Sequence, residues 1–165
     1  MTAGGRIDFD TVLLLVGRLN YAWTNTESLL IHLIAGLSGT DKEIATVTFL
    51  TLNTTRARID LVERLSKLDR VDAAERKAIL GLTGRIQRHS ALRNRYNHCI
   101  YAFDPDGQHP RTIQMRIADR KDRLLMGQDT PLDEAALDEI RAALDALAEI
   151  NRDIWQFISA HKYPA

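Results

Sequence analysis

The stretch TPLDEAALDEIRAALDALAEINRDIWQFISA, residues 130–160, decides the fold because it has the complete pattern of one long amphipathic helix. Its apolar residues recur at steps of three and four, which places them on one helical face. Thr130 is a favourable N-cap, Pro131 suits the first helical position, and the acids at 133 and 134 suit the first turn. We predict a helix that is capped by Thr130 and ends near Ala160. Its buried face comprises Leu137, Ile140, Leu144, Leu147, Ile150, Ile154 and Phe157.

Two segments in the first half of the chain show the same spacing. The first extends from Phe9 to about Leu37, and the glycines at 36 and 39 predict its end. The second opens at Thr40, which has capping-box spacing to Glu43, and continues to about Leu68. Its many threonines also allow a strand, but we favour a helix because the helical spacing of apolar residues persists throughout.

A third helix is predicted to start at Asp72, which has capping spacing to Glu75. Two polar residues, His89 and Arg93, interrupt its otherwise apolar face. Because burying them is costly without partners, they indicate a cleft or a second subunit at this face. The face comprises Ile79, Leu82, Ile86, His89, Arg93, Tyr96, Ile100 and Phe103.

A small β-hairpin is predicted between the third and the last helix. Residues 104–107, Asp-Pro-Asp-Gly, favour a turn. Thr112 to Ile117 alternates between polar and apolar residues, and Arg123 to Met126 can return as the partner strand. The predicted fold is therefore all-α: one domain over residues 1–165, built as a bundle of four long helices with a hairpin between helices 3 and 4.

The composition fits a chain with its own hydrophobic core, since 45% of the 165 residues are hydrophobic. Cys99 is the single cysteine, and the first ten residues lack the pattern of a secretory signal, so we expect a cytoplasmic protein. No apolar run approaches the roughly 20 residues of a membrane span. The histidines and Cys99 lack paired ligand spacing, and there is no glycine-rich phosphate loop, so we expect neither metal nor cofactor.

The net charge of zero hides an uneven distribution. Residues 85–123 carry nine Lys or Arg against four Asp or Glu, whereas residues 129–153 carry eight acids against two arginines. This pattern allows two interpretations: a basic surface for a phosphate ligand, or solvated faces of neighbouring elements that attract each other.

Arg93-Asn94-Arg95-Tyr96-Asn97-His98 lies in the basic part of the chain and places an arginine, an amide and a histidine close together. An arginine can bind two phosphate oxygens at once. Histidine is the side chain whose ordinary pKa lets it take and give a proton near neutral pH. Such a group of residues is suited to metal-independent cleavage of a phosphodiester.

Arg93, Asn94 and His98 resemble the signature of the HEPN superfamily, in which an arginine and a polar residue precede a histidine by a few positions. The resemblance implies an all-helical, nucleotide-associated domain that forms a homodimer, with both motifs lining one cleft. It also implies, in active members of the bacterial toxin or defence type, a metal-independent endoribonuclease that has an RNA substrate and, in toxin systems, an antitoxin partner. His98 would act as the base, Arg93 would stabilise charge on the phosphate, and Asn94 would orient the histidine or the phosphate.

Helical geometry constrains this assignment. Asn94 and His98 share a face of an ideal helix, whereas Arg93 and His98 are separated by about 140°. The two groups therefore meet at one phosphate only across a dimer axis or if the helix unwinds near Asn97. The alternative is an inert interaction module in which Arg93 pairs with an acid such as Glu27 and His98 is a helix-end histidine.

Overall fold

The computed structural model describes residues 7–165, which are mostly helical, as predicted, with one small antiparallel sheet. The helices are α1 (Phe9–Ser28), α2 (Leu30–Ser38), α3 (Lys42–Thr51), α4 (Thr55–Leu65), α5 (Ala73–Asn97) and α6 (Glu134–Ala160). The strands are β1 (Cys99–Ala102), β2 (Arg111–Arg120) and β3 (Arg123–Pro131). Two compact units are distinguished: residues 7–20 with 91–144, and residues 21–90 with 145–165.

The last helix, α6, ends at Ala160 as predicted but begins later than expected. Thr130 and Pro131 belong to β3, where Thr130 lies opposite Thr112 of β2. The N-cap is Asp133, whose carboxylate accepts the N–H of Ala136 at 2.9 Å. The prediction that Thr130 is the cap is therefore wrong, because strand pairing extends to Pro131, which lies opposite Arg111. The predicted apolar face is confirmed: its residues are buried, apart from half-buried Leu144.

The first predicted helix is interrupted at Leu29, which separates α1 from α2. The Leu29 N–H donates to the carbonyl of Thr26, three residues back, at 3.2 Å. This tighter bond replaces the regular α-helical pattern for one turn. The predicted end at Gly39 is confirmed, since Gly39 has φ +70°, whereas Gly36 lies inside α2.

The second predicted helix is two helices, α3 and α4, separated by residues 52–54. Asp41, rather than Thr40, caps α3 with its carboxylate. Thr54 has an extended backbone, and its hydroxyl accepts the N–H of Ala57 at 3.1 Å to cap α4. Helix is thus confirmed over strand for this segment, but a continuous helix to Leu68 is wrong because Thr54 starts a new one.

The third predicted helix, α5, is capped by Asp72 as predicted, with the N–H of Glu75 donating to the Asp72 carboxylate at 2.8 Å. The helix ends at Asn97 and not near Phe103. Residues Cys99–Ala102 instead form β1 and pair antiparallel with the start of β2. The sheet therefore has three strands in the order β1-β2-β3, and the predicted four-helix bundle with a two-stranded hairpin is wrong in its details.

Strands β2 and β3 form the predicted hairpin with an irregularity in the middle. Met115 and Arg116 of β2 both lie opposite Gly127 of β3. Gly127 has φ +76°, a conformation that favours glycine. Because β2 carries this extra residue, the strict alternation predicted for residues 112–117 is interrupted.

Each unit has buried apolar side chains of its own. Those in residues 21–90 and 145–165 include Trp23, Leu30, Leu33, Ile59, Ile79, Ile86, Leu147, Ile150 and Ile154. Those in residues 7–20 and 91–144 include Val12, Leu19, Leu92, Tyr96, Leu132, Leu137 and Ile140. In the part of the chain that the structure describes, no helix has both the length and the apolar character to cross a membrane.

Candidate functional site

The predicted motif lies at the C-terminal end of α5. Arg93 and Asn94 are in the last turns of the helix, and His98 follows directly after its end, before β1. The His98 N–H donates to the carbonyl of Asn94 at 3.1 Å, so the last helical hydrogen bond joins two motif residues. The helix thus ends at Asn97, the position at which unwinding was considered.

A pocket of about 660 Å³ brings together two of the three predicted site residues. Asn94 and His98 both line it, in agreement with their spacing of one helical turn. Arg93 is not among its lining residues, so the end of the helix at Asn97 does not by itself bring Arg93 and His98 into one pocket. The residues that line the pocket are Ala91, Asn94, Arg95, His98, Gln114, Met115, Arg116, Gln128 and Thr130.

Arg93 is half-buried and contacts the motif through its neighbour. Its Nη1 donates to Oδ1 of Asn94 at 2.9 Å. With its oxygen engaged in this way, the Asn94 amide has its N–H groups as the donors with which to bind a ligand. Within one chain, this hydrogen bond favours an orientation of Asn94 in which its N–H groups face away from Arg93.

The permanently charged groups that line the pocket are two guanidinium groups. They belong to Arg95 and Arg116, and none of the described lining residues is an Asp or Glu. Arg95 is partly neutralised, because its Nη1 lies 3.1 Å from the carboxylate of Glu139. Arg116 is exposed, and no acid in residues 7–165 lies within ion-pair distance of it. Such a pocket favours an anionic ligand such as a phosphate.

Tyr96 is interpreted as a core residue rather than a site residue. It is 4% exposed, and burial raises the pKa of its hydroxyl. The hydroxyl therefore stays protonated near neutral pH. This leaves His98 as the residue of the motif that is suited to exchange a proton with a ligand.

Glu27, the acid named above as an example of a partner for Arg93, contacts Thr55 and Arg58. One of its carboxylate oxygens accepts from the Thr55 hydroxyl at 2.6 Å and lies 3.1 Å from Nη1 of Arg58. Glu27 therefore belongs to an ion pair with Arg58.

A second, larger cavity of about 1340 Å³ has a different character. In the lining of this cavity, the Asp104 carboxylate lies 2.8 Å from Nδ1 of His109 and 3.2 Å from Nη1 of Arg111. Acidic residues dominate the charged part of its lining: Asp8, Asp104, Asp129, Asp133 and Glu134. This cavity is therefore a poor fit for a phosphate chain. Sequence reasoning interpreted residues 104–107 as a turn and missed the Asp104–His109 pair.

Sequence reasoning also missed the hairpin residues of the motif pocket. Polar residues on alternate positions of residues 112–117 were a usable signal, since Gln114 and Arg116 share that row. Nothing in the pattern placed the row beside the end of α5. In residues 7–165 no three His, Cys, Asp or Glu side chains are grouped as a metal site requires.

The comparisons with known proteins do not assign a family to this chain. No protein-family model, curated protein or solved structure matches it. A functional assignment therefore depends on the residues of the motif pocket and on their chemistry.

Proposed function

We propose that this chain is a HEPN-like domain over residues 1–165 that cleaves RNA without a metal, in the cytoplasm of a bacterium. The observation that carries the proposal is the placement of Asn94 and His98 in one cationic pocket. A histidine beside hydrogen-bond donors and arginines has the parts needed for phosphodiester cleavage: a base and stabilisation of negative charge.

The reaction uses the ribose 2′-hydroxyl of the substrate as its nucleophile. The imidazole of His98 accepts the hydroxyl proton while the 2′-oxygen attacks the adjacent phosphorus. The new O2′–P bond forms as the P–O5′ bond breaks, and the departing O5′ takes a proton from solvent. The products are a 2′,3′-cyclic phosphate and a 5′-hydroxyl. Because the nucleophile is part of the substrate, the reaction needs neither a water molecule nor a metal-bound hydroxide as the nucleophile.

Asn94 and Arg93 have distinct roles in this scheme. The Asn94 amide donates to a non-bridging phosphate oxygen, where negative charge grows in the transition state. Arg93 orients that amide through its 2.9 Å hydrogen bond. In a homodimer, a second copy of the motif brings another arginine to the same cleft and supplies the direct phosphate contact that Arg93 lacks in its own pocket.

Cleavage of single-stranded RNA in EDTA by the purified full chain tests this proposal. We expect His98→Ala to reduce the rate at least about 100-fold, the usual contribution of a general base, and Arg93→Ala to reduce it as well. His109→Ala is the matched control, because His109 lies at the other cavity and is highly exposed. Cleavage that is unchanged in both motif variants would remove the proposed site.

Assembly is tested separately by sedimentation of the full chain. We expect a homodimer at micromolar concentration, and a monomer under those conditions would contradict a cleft shared by two motifs. A toxin role adds a second expectation: a partner antitoxin protein that blocks cleavage. Arrested growth on expression of the wild-type chain, absent for His98→Ala, is the corresponding cellular result.

The second candidate is a catalytically inert interaction module in which Arg93 and His98 are structural. An exposed apolar row on α3 favours it, since Ile44, Val47 and Leu50 are each more than half exposed. Exposed apolar patches commonly mark interaction surfaces. This alternative predicts no His98-dependent cleavage of any RNA and a loss of stability in Arg93→Ala.

A further inference from the structure

We propose that the β2–β3 hairpin recognises the nucleotide that enters the motif pocket: Gln114 and Gln128 contact the base, and Arg116 binds a neighbouring phosphate. The inference rests on the proposed function, since it takes the ligand to be RNA. It assigns the substrate class as an unpaired, single-stranded segment and gives the hairpin a role in sequence preference.

The two glutamines form one cross-strand pair. Gln114 of β2 lies directly opposite Gln128 of β3. Side chains of directly opposed residues leave an antiparallel sheet on the same face, about 5 Å apart at Cβ. Both line the pocket that contains Asn94 and His98. The structure thus places two neighbouring amides beside the proposed catalytic histidine.

The irregularity in the hairpin explains how consecutive residues of β2 reach one pocket. In a regular strand, Gln114 and Met115 point to opposite faces. Here Met115 and Arg116 share one partner, Gly127, and all three residues from 114 to 116 line the pocket. A side chain at 127 would be strained at φ +76° and would approach Ile113 to 3.0 Å. The glycine therefore maintains the irregularity at which Met115 joins Gln114 and Arg116 in lining the pocket.

The chemistry of these residues fits an unstacked nucleotide. Each amide offers both a donor and an acceptor, which is what the edge of a base requires. Met115 is 72% exposed and provides an apolar surface for the face of a base. Arg116 supplies a positive charge that no described acid neutralises.

The shape of the pocket favours a single-stranded substrate. Its volume, about 660 Å³, lies within the range of small-molecule sites and suits one nucleotide. A base within a duplex is stacked and paired, so its edge does not reach into such a depression without being flipped out.

Binding, measured apart from cleavage, tests the proposal. Fluorescence anisotropy of labelled oligoribonucleotides of each single base type is recorded in a His98→Ala background, which prevents turnover. Arg116→Ala and the double variant Gln114→Ala/Gln128→Ala are compared with Arg123→Ala, a basic control on the same hairpin, and Gln156→Ala, an exposed amide control on α6. A duplex of the same length is included for each protein.

We expect Arg116→Ala to weaken binding of every sequence at least about fivefold and to reduce the salt slope by about 0.7, the value for one phosphate contact in a single strand. In the double glutamine variant, the affinities for the four base types should lie within about twofold of one another. In the parent protein, which carries His98→Ala alone, these affinities should differ by at least about fivefold. Both control variants should behave as the parent.

The proposal is overturned if base preference survives the double glutamine change, if Arg116→Ala and Arg123→Ala weaken binding equally, or if the duplex binds as tightly as the single strand. These results are distinguishable from failure of the proposed function. Binding that depends on Arg116 and on the glutamines, without any cleavage by the wild type, would remove the nuclease reaction and leave the recognition site.

Discussion

Glu27 and Arg58 form a nearly buried ion pair, with 3.1 Å between Oε1 and Nη1 and side-chain exposures of 8% and 18%. The same guanidinium donates through Nε to the carbonyl of Leu52 at 3.0 Å. Arg58 thereby connects the end of α1 to the break between α3 and α4. The pair stabilises the break between α3 and α4, in a segment for which the sequence pattern predicts one continuous helix.

Loss of the Glu27 carboxylate is expected to destabilise the fold strongly. Glu27→Ala leaves the Arg58 charge buried without its partner, so the free energy of unfolding should fall by about 3 kcal/mol or more. Urea denaturation measures the change. The control is Glu134→Ala, whose carboxylate is 69% exposed in its ion pair with Arg141 and should change stability by less than about 1 kcal/mol. Equal effects at the two positions would contradict a buried, structural pair.

Two helical glycines should respond oppositely to alanine. A Cβ at Gly36 would clash with the ring of Tyr163, whose hydroxyl donates to the Glu75 carboxylate. We expect Gly36→Ala to displace the ring and to lower the melting temperature. Gly81 has nothing near its Cβ position, so Gly81→Ala should stabilise the protein by about 0.5–1 kcal/mol through helix propensity. Thermal unfolding of both variants tests the contrast, and an increase in stability for Gly36→Ala would refute the contact.

The parts of the fold that were predicted correctly depend on local sequence signals. The apolar spacing of α6, the stop at Gly39 and the cap at Asp72 are each fixed by residues within a few positions of the element. The end of α5, by contrast, is determined by strand pairing and not by a local signal. Helical spacing continues through Ile100, yet Cys99–Ala102 form a strand because β2 is available to pair with them. Such long-range pairing leaves no periodic trace in a single sequence.

The site was predictable to a similar extent. The four-residue spacing of Asn94 and His98 predicted that the two side chains lie together, and both line the pocket, although His98 follows the end of the helix. The same geometry separated Arg93 from His98, and Arg93 does not line it. On the hairpin side of the pocket, Gln114 and Arg116 share one row of alternate residues, whereas Met115 joins them at a register shift opposite Gly127. A glycine in a strand hints at a bulge, but the residues it redirects follow only from the pairing.

His89 should make the stability of the protein depend on pH. Burial lowers the pKa of this half-buried histidine, and the charges of Arg88 and Arg85 lower it further. The folded state then binds a proton less tightly than the unfolded chain, whose histidine pKa is about 6.5. The free energy of unfolding should therefore fall as the pH decreases through about 6.5 toward the lowered value.

His89→Gln isolates this contribution. We expect the variant to lose less stability than the wild type between about pH 7 and about pH 5. The reason is that glutamine does not titrate, so residue 89 no longer binds a proton more tightly in the unfolded state than in the folded state. Urea denaturation at several pH values measures it. The comparison at about pH 8, where the histidine is neutral in both states, reports the packing effect of the substitution alone. Parallel pH curves for the two proteins would show that His89 does not contribute.

Arg95 and Glu139 give the last prediction, because their ion pair limits the positive charge of the motif pocket. The side chains are 32% and 50% exposed, so the pair should contribute less than about 1 kcal/mol to stability. Glu139→Gln removes the negative charge and leaves Arg95 at the pocket. Affinity for single-stranded RNA should rise by about threefold, with a steeper dependence on salt. Asp138→Asn is the control, since Asp138 pairs with Arg141 and does not line the pocket. An equal gain in both variants would mean that general charge, and not Arg95, determines the affinity.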